Sequence, residues 1–472
     1  MNVVFCYSLK SVSLVICFQA VPKNYLIETF GCQMNVHDSE RMAGLLEQSG
    51  YECTENSQDA DIIVINTCSI RDHAESKLYT RLGEIRVMGQ NTGHKPIVAI
   101  AGCVAQQEGA SLTAGTNGHV VDIVLGTQRQ KLLPMMIQKN QLSGLQEVDI
   151  RPLDDVTFPL GIARRSDPVK AYVNIIEGCN DHCAYCVVPN TRGHERMRSK
   201  ADILTEVKEA VDTGRREIHL LGQIVNHYQA PDDQDCDFPE LLSLINNVSG
   251  VERIRFASPH PRHTGKRLIQ AIRDLPHLCK HLHLPVQSGS TQILQAMRRR
   301  HSREEYLDLI GLLRETVPEI QISTDIIVGF PGESQKDFES TLSLVKQVGY
   351  HSMFSFKYSP RPNTLASKRM RDNVSEEEKT TRIVNLQSLQ KEIQTKLNRK
   401  TVGKTVEVLI DTVSHKGKTE LSGRTSGNTL VSFYPRSTGK EKLPMNNWIG
   451  RLAKVNVKRA GPHSLWGEMS AD

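Results

Sequence analysis

Apolar positions fall into three successive regimes along the chain. From residue 23 to 140, short apolar runs alternate with helical spacing: "NYLIETF", "DIIVIN", "PIVAIA" and "VDIVLGT" are strand-like, while "SERMAGLLEQSG" and residues 72–88 read as helices. Strands interleaved with helices predict an open parallel sheet. Ser39 is the expected N-cap of the first helix and Gly50 its stop signal. Residues 165–396 repeat the alternation with six strand candidates, "AYVNIIE", "EIHLLG", "RIRFAS", "HLHLPV", "ISTDIIVGF" and "MFSFKY". Helical stretches at 200–213, 237–248, 303–315 and 334–348 lie between them, and a long charged helix over 375–398 leads away. Six βα units predict a barrel or part of one. Residues 399–468 change period: "TVEVLIDTV", "ELSGRT", "TLVSFY", "RLAKVNVKRA" and "SLWGEM" are short strands separated by turn residues, as in a small OB-like β-barrel. The predicted fold class is α/β: an N-terminal open parallel α/β domain, a central partial (βα)6 barrel and a C-terminal β-barrel.

The chain has 472 residues, 39% hydrophobic and 24% charged, which fits a soluble globular protein of several domains. No run approaches the roughly 18 apolar residues of a membrane span. The run Leu14 to Phe18 is too short for a secretory signal and lacks a cleavage site, so residues 1–22 read as an extension and the cytoplasm is the expected location. Charge is unevenly placed. Residues 399–463 carry thirteen Lys/Arg against four Asp/Glu, so a net +5 overall leaves the remainder at −4. A basic β-domain on a mildly acidic body points to a polyanionic partner such as nucleic acid, a solvated surface being the plainer alternative.

Eleven cysteines at spacings unlike a disulfide scaffold suggest metal binding or chemistry. Cys32, Cys68 and Cys103 each follow a separate predicted strand, at the sheet edge where open parallel sheets bind ligands. A shared site is expected there rather than three incidental buried thiols. Cys179, Cys183 and Cys186 form "GCNDHCAYC" after the first barrel strand, at the mouth where barrel active sites lie. A structural zinc ion would need a fourth ligand, His182 or His194. A 4Fe–4S cluster held by three thiolates instead keeps one iron open for a substrate or cofactor. The barrel context and Tyr185 before the last cysteine favour the cluster.

C-x3-C-x2-C with an aromatic before its third cysteine, on the first strand of a βα barrel, resembles the radical S-adenosylmethionine (SAM) enzymes. "TFGCQMN", "NTCSIR", "AGC", "EGCNDHCAYCVVPNTRG", "LPVQSGS", "DIIVGFPGE" and "YSPRPNT" extend the resemblance to the methylthiotransferases. The basic β-domain is similar to that family's TRAM RNA-binding domain, so the resemblance covers about residues 23–468. It implies a methylthiotransferase N-terminal domain (23–140), a radical SAM core (165–396) and a TRAM domain (399–468). It implies two 4Fe–4S clusters: one on Cys179, Cys183 and Cys186 that cleaves SAM to a 5′-deoxyadenosyl radical, and one on Cys32, Cys68 and Cys103 that carries the sulfur. The radical takes hydrogen from C2 of a modified adenine, which acid–base chemistry cannot open, and a second SAM supplies the methyl.

"GCQMN" and "NTCSIR" favour N6-isopentenyladenosine at position 37 of tRNA as substrate, giving its 2-methylthio derivative. Rivals are threonylcarbamoyladenosine in tRNA, a ribosomal-protein aspartate, whose branch carries Pro-Lys where this chain has Gln33-Met34, and a non-catalytic iron–sulfur RNA-binding protein. The implied partners are the prenylated tRNA, an electron-donor protein and a sulfur donor, with no membrane, and the enzyme is expected to act as a monomer. SAM contacts are expected at Tyr185, Gly222, Gln223, Ser258 and Gln287. Gly329-Phe330-Pro331-Gly332 would lie near the SAM adenine or be a plain turn. Ile224 and Arg300 stand where the family usually has Asn and Gly. Histidines 260, 263, 277, 281 and 283 read as surface or supporting residues, and cysteines 6, 17, 53, 236 and 279 as incidental thiols.

Overall fold

The computed structural model describes residues 23–69, 72–115, 118–152, 161–413, 420–435 and 444–470. Cys6, Cys17, the Ile70-Arg71 end of "NTCSIR" and the basic residues Lys416, Lys418, Arg436, Lys440 and Lys442 lie outside them. Among the described residues no helix is long and apolar enough to cross a membrane.

The N-terminal sheet is wholly parallel, with strands in the spatial order Glu52–Cys53, Asn24–Phe30, Ile62–Thr67, Ile97–Gly102, Ile123–Leu125 and Glu147–Asp149. The central strand Ile62–Thr67 is buried throughout. Ile62 and Val64 face a layer with Met42, Leu46, Met136 and Ile137, whereas Ile63 and Ile65 face Leu78, Leu82 and Ile85. Helices on both faces explain why these strands are apolar runs rather than alternating ones.

One local expectation is corrected. The first helix is Gln33–Gln48, beginning one turn and a half before Ser39, and Cys32 is its N-cap. Ser39 is buried inside the helix, with its hydroxyl 2.7 Å from Thr29 Oγ1. The polar side chains Asn35, His37, Asp38 and Ser39 disguise this first turn because they face a buried polar junction rather than solvent.

The central strands Lys170–Asn174, Glu217–Leu221 and Arg253–Phe256 form one parallel sheet, and His281–His283, Gln321–Val328 and Ser352–Lys357 another. A parallel bridge between Ile254 and Leu278 joins them into an open six-stranded barrel. Helix Glu376–Arg399 packs along the last two strands and runs from the barrel mouth to its base. At the mouth, buried Arg382 pairs with Glu333 at 2.7 Å; at the base, Asn398 Nδ2 donates to Gly461 O at 2.9 Å.

Beyond it, strands Thr405–Val413, Leu421–Thr425, Leu430–Tyr434, Ser464–Met469 and Leu452–Ala460 close a five-stranded barrel around Val408, Ile410, Val431, Phe433 and Leu465. Its 425–429 turn seats against the N-terminal ends of the central strands. Arg255 donates to Thr425 O at 2.7 Å and Ser426 O at 3.0 Å, Lys280 N donates to Ser426 Oγ at 2.9 Å, and Thr429 Oγ1 donates to Gln321 Oε1 at 3.1 Å.

The Arg382–Glu333 pair generates a stability prediction. Arg382→Leu leaves a buried carboxylate unpaired and should destabilise the central domain by about 3–5 kcal/mol. Urea denaturation followed by circular dichroism should show a lowered midpoint, and the double change Arg382→Leu with Glu333→Leu should recover much of it.

Candidate active site

Three strand ends bring the first cysteine triad together. Cys32 follows Asn24–Phe30 and Gly31, Cys68 follows Ile62–Thr67, and Cys103 follows Ile97–Gly102 and opens a short helix. Close approach of these loops depends on two glycines. A Cβ on Gly31 would lie 2.9 Å from Cys68 Cβ, and one on Gly102, whose φ is +90°, would lie 2.4 Å from Asn66 Oδ1. Asn66 and Asn35 hold the loops in register: Asn35 Nδ2 donates to Asn66 Oδ1 and Asn66 Nδ2 donates to Asn35 O, both at 2.9 Å. Asn66 Nδ2 also reaches Ser39 Oγ at 3.0 Å.

The thiols of this triad hydrogen-bond one another through Cys68. Cys32 is thereby brought down to about 6 and Cys103 to about 7, in each case first by the hydrogen bond to Cys68, against burial, with the charge of Arg192 assisting. Cys68 is pushed up by its bonds to Cys103 and Cys32 and by burial. The positive charge nearby comes from the central domain. Buried Arg192 donates to Asp38 Oδ2 at 2.6 Å and lies 3.5 Å from Glu177 Oε1. Burial opposes its charge, but Asp38, Cys103, Glu177 and Cys32 hold it well above the usual arginine range.

Arg192 ends helix Val188–Arg192, which directly follows the second triad. Thr127 Oγ1 donates to Thr191 O at 2.5 Å and Gln128 Nε2 to Arg192 O at 3.0 Å, so the N-terminal sheet also grips this helix through its backbone. Within the second triad, Asp181 N donates to Cys179 Sγ at 3.4 Å, Cys186 N donates to Cys183 O at 3.1 Å, and buried Arg299 reaches Cys183 Sγ at 3.7 Å. Burial pushes Cys179 up to about 11 and Cys186 up to about 12. Cys179 packs with Val188 and Ile224, an apolar wall that needs no Asn at 224.

The five residues expected to touch SAM surround this mouth. Tyr185 meets Phe330 edge-on, with ring centroids 6.5 Å apart, beside buried Ala184 and Met297. Gly222 and Gln223 follow strand Glu217–Leu221, where a Cβ on Gly222 would lie 3.2 Å from Ile176 Cβ. Ser258 and Gln287 follow the third and fourth strands in left-handed backbone, φ +60° and +76°. Such conformations are uncommon for residues with a Cβ and cluster at functional sites. Gln287 is held by Asp325 O and Ile327 N, each at 2.9 Å. The Gly329–Gly332 turn is braced from outside, with Gly329 N donating to Glu333 Oε2 at 2.6 Å.

Other sequence readings sort by burial. His182 and His194 are exposed. His260 is buried, with Arg262 N donating to its Nδ1 at 3.1 Å, and His281 and His283 share Ser323 Oγ inside the barrel. Cys236 and Cys279 are buried and Cys53 is exposed. Sequence reasoning missed Asn35, Asp38, Asn66, Arg192 and Arg299. A polar run just after Gly31-Cys32 and a helix following the C-x3-C-x2-C motif were the available signals.

Among the described residues no group of three His, Cys, Asp or Glu is arranged to hold a metal ion as it stands. In the first triad the three thiols are bonded to one another through Cys68, while Thr67 Oγ1 and Ser69 Oγ are buried without hydrogen-bond partners beside it. An all-thiol set with two members poised as thiolates is the donor chemistry of iron–sulfur ligation.

Residues 24–126 match the family model described as Uncharacterized protein family UPF0004, residues 173–345 the Radical SAM superfamily and residues 399–469 the TRAM domain. A tRNA-2-methylthio-N(6)-dimethylallyladenosine synthase of Thermoanaerobacter pseudethanolicus is 42% identical over 450 residues, 94% of this chain and 92% of that protein. Proteins of the same name from Clostridium perfringens and Koribacter versatilis are 41% and 42% identical over 95% of this chain and 98% of their own lengths. Among solved structures, a radical S-adenosylmethionine methyltransferase of Kitasatospora setae shares the fold at TM-score 0.53, with 12% identity over 74% of this chain and 77% of that one.

The thiol electrostatics make a labelling prediction for metal-free protein. At pH 8 the half-buried Cys32 should be thiolate and half-buried Cys186 a thiol. Iodoacetamide footprinting by peptide mass spectrometry should mark Cys32 well before Cys186, with the Cys32 rate falling as pH drops through about 6; faster labelling of Cys186 would contradict this.

Proposed function

The chain belongs to the radical SAM methylthiotransferase family, alongside the tRNA-2-methylthio-N(6)-dimethylallyladenosine synthases, and we propose that it converts N6-isopentenyladenosine at position 37 of tRNA to its 2-methylthio derivative. It is a transferase that uses SAM and iron–sulfur chemistry. The observation that carries the fuller reading is the pairing of two cysteine triads across the Arg192–Asp38 contact. Cys179, Cys183 and Cys186 are assigned to one 4Fe–4S cluster and Cys32, Cys68 and Cys103 to a second. When bound, the first cluster with SAM supplies a radical able to take the C2 hydrogen, and the second supplies the sulfur that replaces it.

The chain's own residues do the positioning. Cys183 takes a ligand role under the guanidinium of Arg299, which offsets negative charge on its sulfur. Ile224, Val188 and the Tyr185–Phe330 pair line the mouth with apolar surface that excludes water from reactive species. Ser258 and Gln287 are assigned to SAM contacts at the mouth, with Gly222 and Gln223 completing the cradle. On the opposite side Asn35 and Asn66 keep Cys32, Cys68 and Cys103 converged, and Arg192 balances their charge. The five-carbon prenyl group gives the substrate an apolar handle; at about 0.8 kcal/mol per buried CH₂, full burial contributes on the order of 4 kcal/mol. The basic TRAM barrel supplies attraction for RNA, and a separate protein supplies electrons.

Three experiments test this reading. Anaerobically reconstituted protein should hold about eight irons, and Cys179, Cys183 and Cys186 changed together to Ala should halve that. Cys103→Ala should keep SAM cleavage to 5′-deoxyadenosine while losing methylthiolated product, and Cys183→Ala should lose both. Offered prenylated, unmodified and threonylcarbamoylated anticodon stem-loops with SAM, sulfide and reductant, the enzyme should methylthiolate only the first efficiently. Preference for either other stem-loop overturns the substrate assignment.

A further inference from the structure

The geometry points to a phosphate-binding rim on the barrel mouth, formed by Arg262, Arg298 and Arg300, that holds the RNA backbone flanking the base to be modified. This rests on the RNA-substrate reading above. Arg298 adopts a left-handed φ of +58°, and the bend splits its neighbours. Arg299 turns inward, buried, to Pro285 O at 3.1 Å and Cys183 Sγ at 3.7 Å, whereas Arg298 and Arg300 are exposed. Arg262 arrives from the opposite side, on the turn Pro261–His263 that follows the third strand. Arg262 and Arg300 converge on one carboxylate, Asp181, at 3.4 and 3.9 Å, on the crest of the cysteine loop between Cys179 and Cys183. The neighbouring carboxylate, Glu195, is engaged by His227 at 2.9 Å.

Two guanidinium groups therefore share a single anion two residues before Cys183, whose sulfur Arg299 touches, and exposed Arg298 stands two positions from Arg300 in the chain. Arg300 is 62% exposed and meets Asp181 only at 3.9 Å, a weak pair that a phosphate can replace, while Arg262 holds Asp181 at 3.4 Å and His263 at 2.9 Å with its guanidinium still partly open to solvent. Guanidinium groups suit bidentate phosphate contacts. A base drawn out of its stack toward the mouth brings its own flanking phosphates over this rim.

The test measures affinity for a prenylated anticodon stem-loop across a salt series, using the reconstituted enzyme. The double variant Arg262→Gln/Arg300→Gln should lower the log–log salt slope by about 1.5, near 0.7–0.9 per lost phosphate contact. It should raise KM for the stem-loop with kcat maintained and iron content intact. Asp181→Asn should act oppositely, releasing both arginines and tightening binding. If the arginines merely brace the cysteine loop through Asp181, all three changes weaken the enzyme alike and leave the slope unchanged, and the rim is overturned. An unchanged slope in a double variant of a wild type that turns over prenylated RNA overturns the rim alone; failure of the wild type to bind the stem-loop overturns the rim and the RNA reading together.

Discussion

The Arg192–Asp38 contact is the constraint on which the two halves of the site depend. Asp38 lies six residues after Cys32 in the first helix, and Arg192 lies six residues after Cys186 in the short helix closing the barrel's cysteine loop. Both side chains are almost fully buried, so each charge depends on the other for its solvation. Removing either would leave an uncompensated ion at the junction, whose cost exceeds the net worth of the pair. Its value here is geometric. A buried, 2.6 Å charge-assisted bond fixes the separation of two cysteine triads carried by different sheets, which apolar packing alone could accommodate at several registers.

The electrostatics of the two triads differ as well. In the first, hydrogen bonds to Cys68 above all, with the charge of Arg192 assisting, make two of the thiols acidic. The second is walled by Val188 and Ile224, and burial keeps Cys179 and Cys186 weakly acidic.

Most strands were legible because buried parallel strands leave unmistakable apolar runs, and all five strands of the small barrel follow their alternation. The cysteine positions were legible because strand ends carry function. The error at Ser39 shows what pattern reading lacks: a helix whose first turn is polar and buried looks like a loop, since polarity is taken for exposure. Arg192 and Arg299 were hidden for a related reason. Their partners lie 154 and 116 positions away, and no local spacing announces such pairs. The left-handed backbone at Ser258 and Gln287 is equally silent, because nothing but tertiary contact imposes it on residues other than Gly, Asn or Asp.

The seat of the small barrel carries the last constraint. Its turn at Thr425 and Ser426 caps the N-terminal ends of the central strands through Arg255, whose guanidinium is anchored to buried Glu217 at 3.1 Å. Burial alone would raise the Glu217 carboxyl, but His219 and Arg255 hold it well below the usual range, so the anchor stays charged across physiological pH. Cys179, Cys183 and Cys186 lie at the opposite end of the central barrel, after strand Lys170–Asn174. Strand Gln321–Val328 has eight residues, so about 26 Å separates the docking turn from the mouth. The 24-residue helix Glu376–Arg399 spans that height and locks both ends, through Glu333 above and Gly461 below. Attraction for RNA on the small barrel is thus held at a fixed distance from the chemistry. The groups that choose the base must come from the mouth itself, while the charged rim around the cysteine loop positions the flanking phosphates.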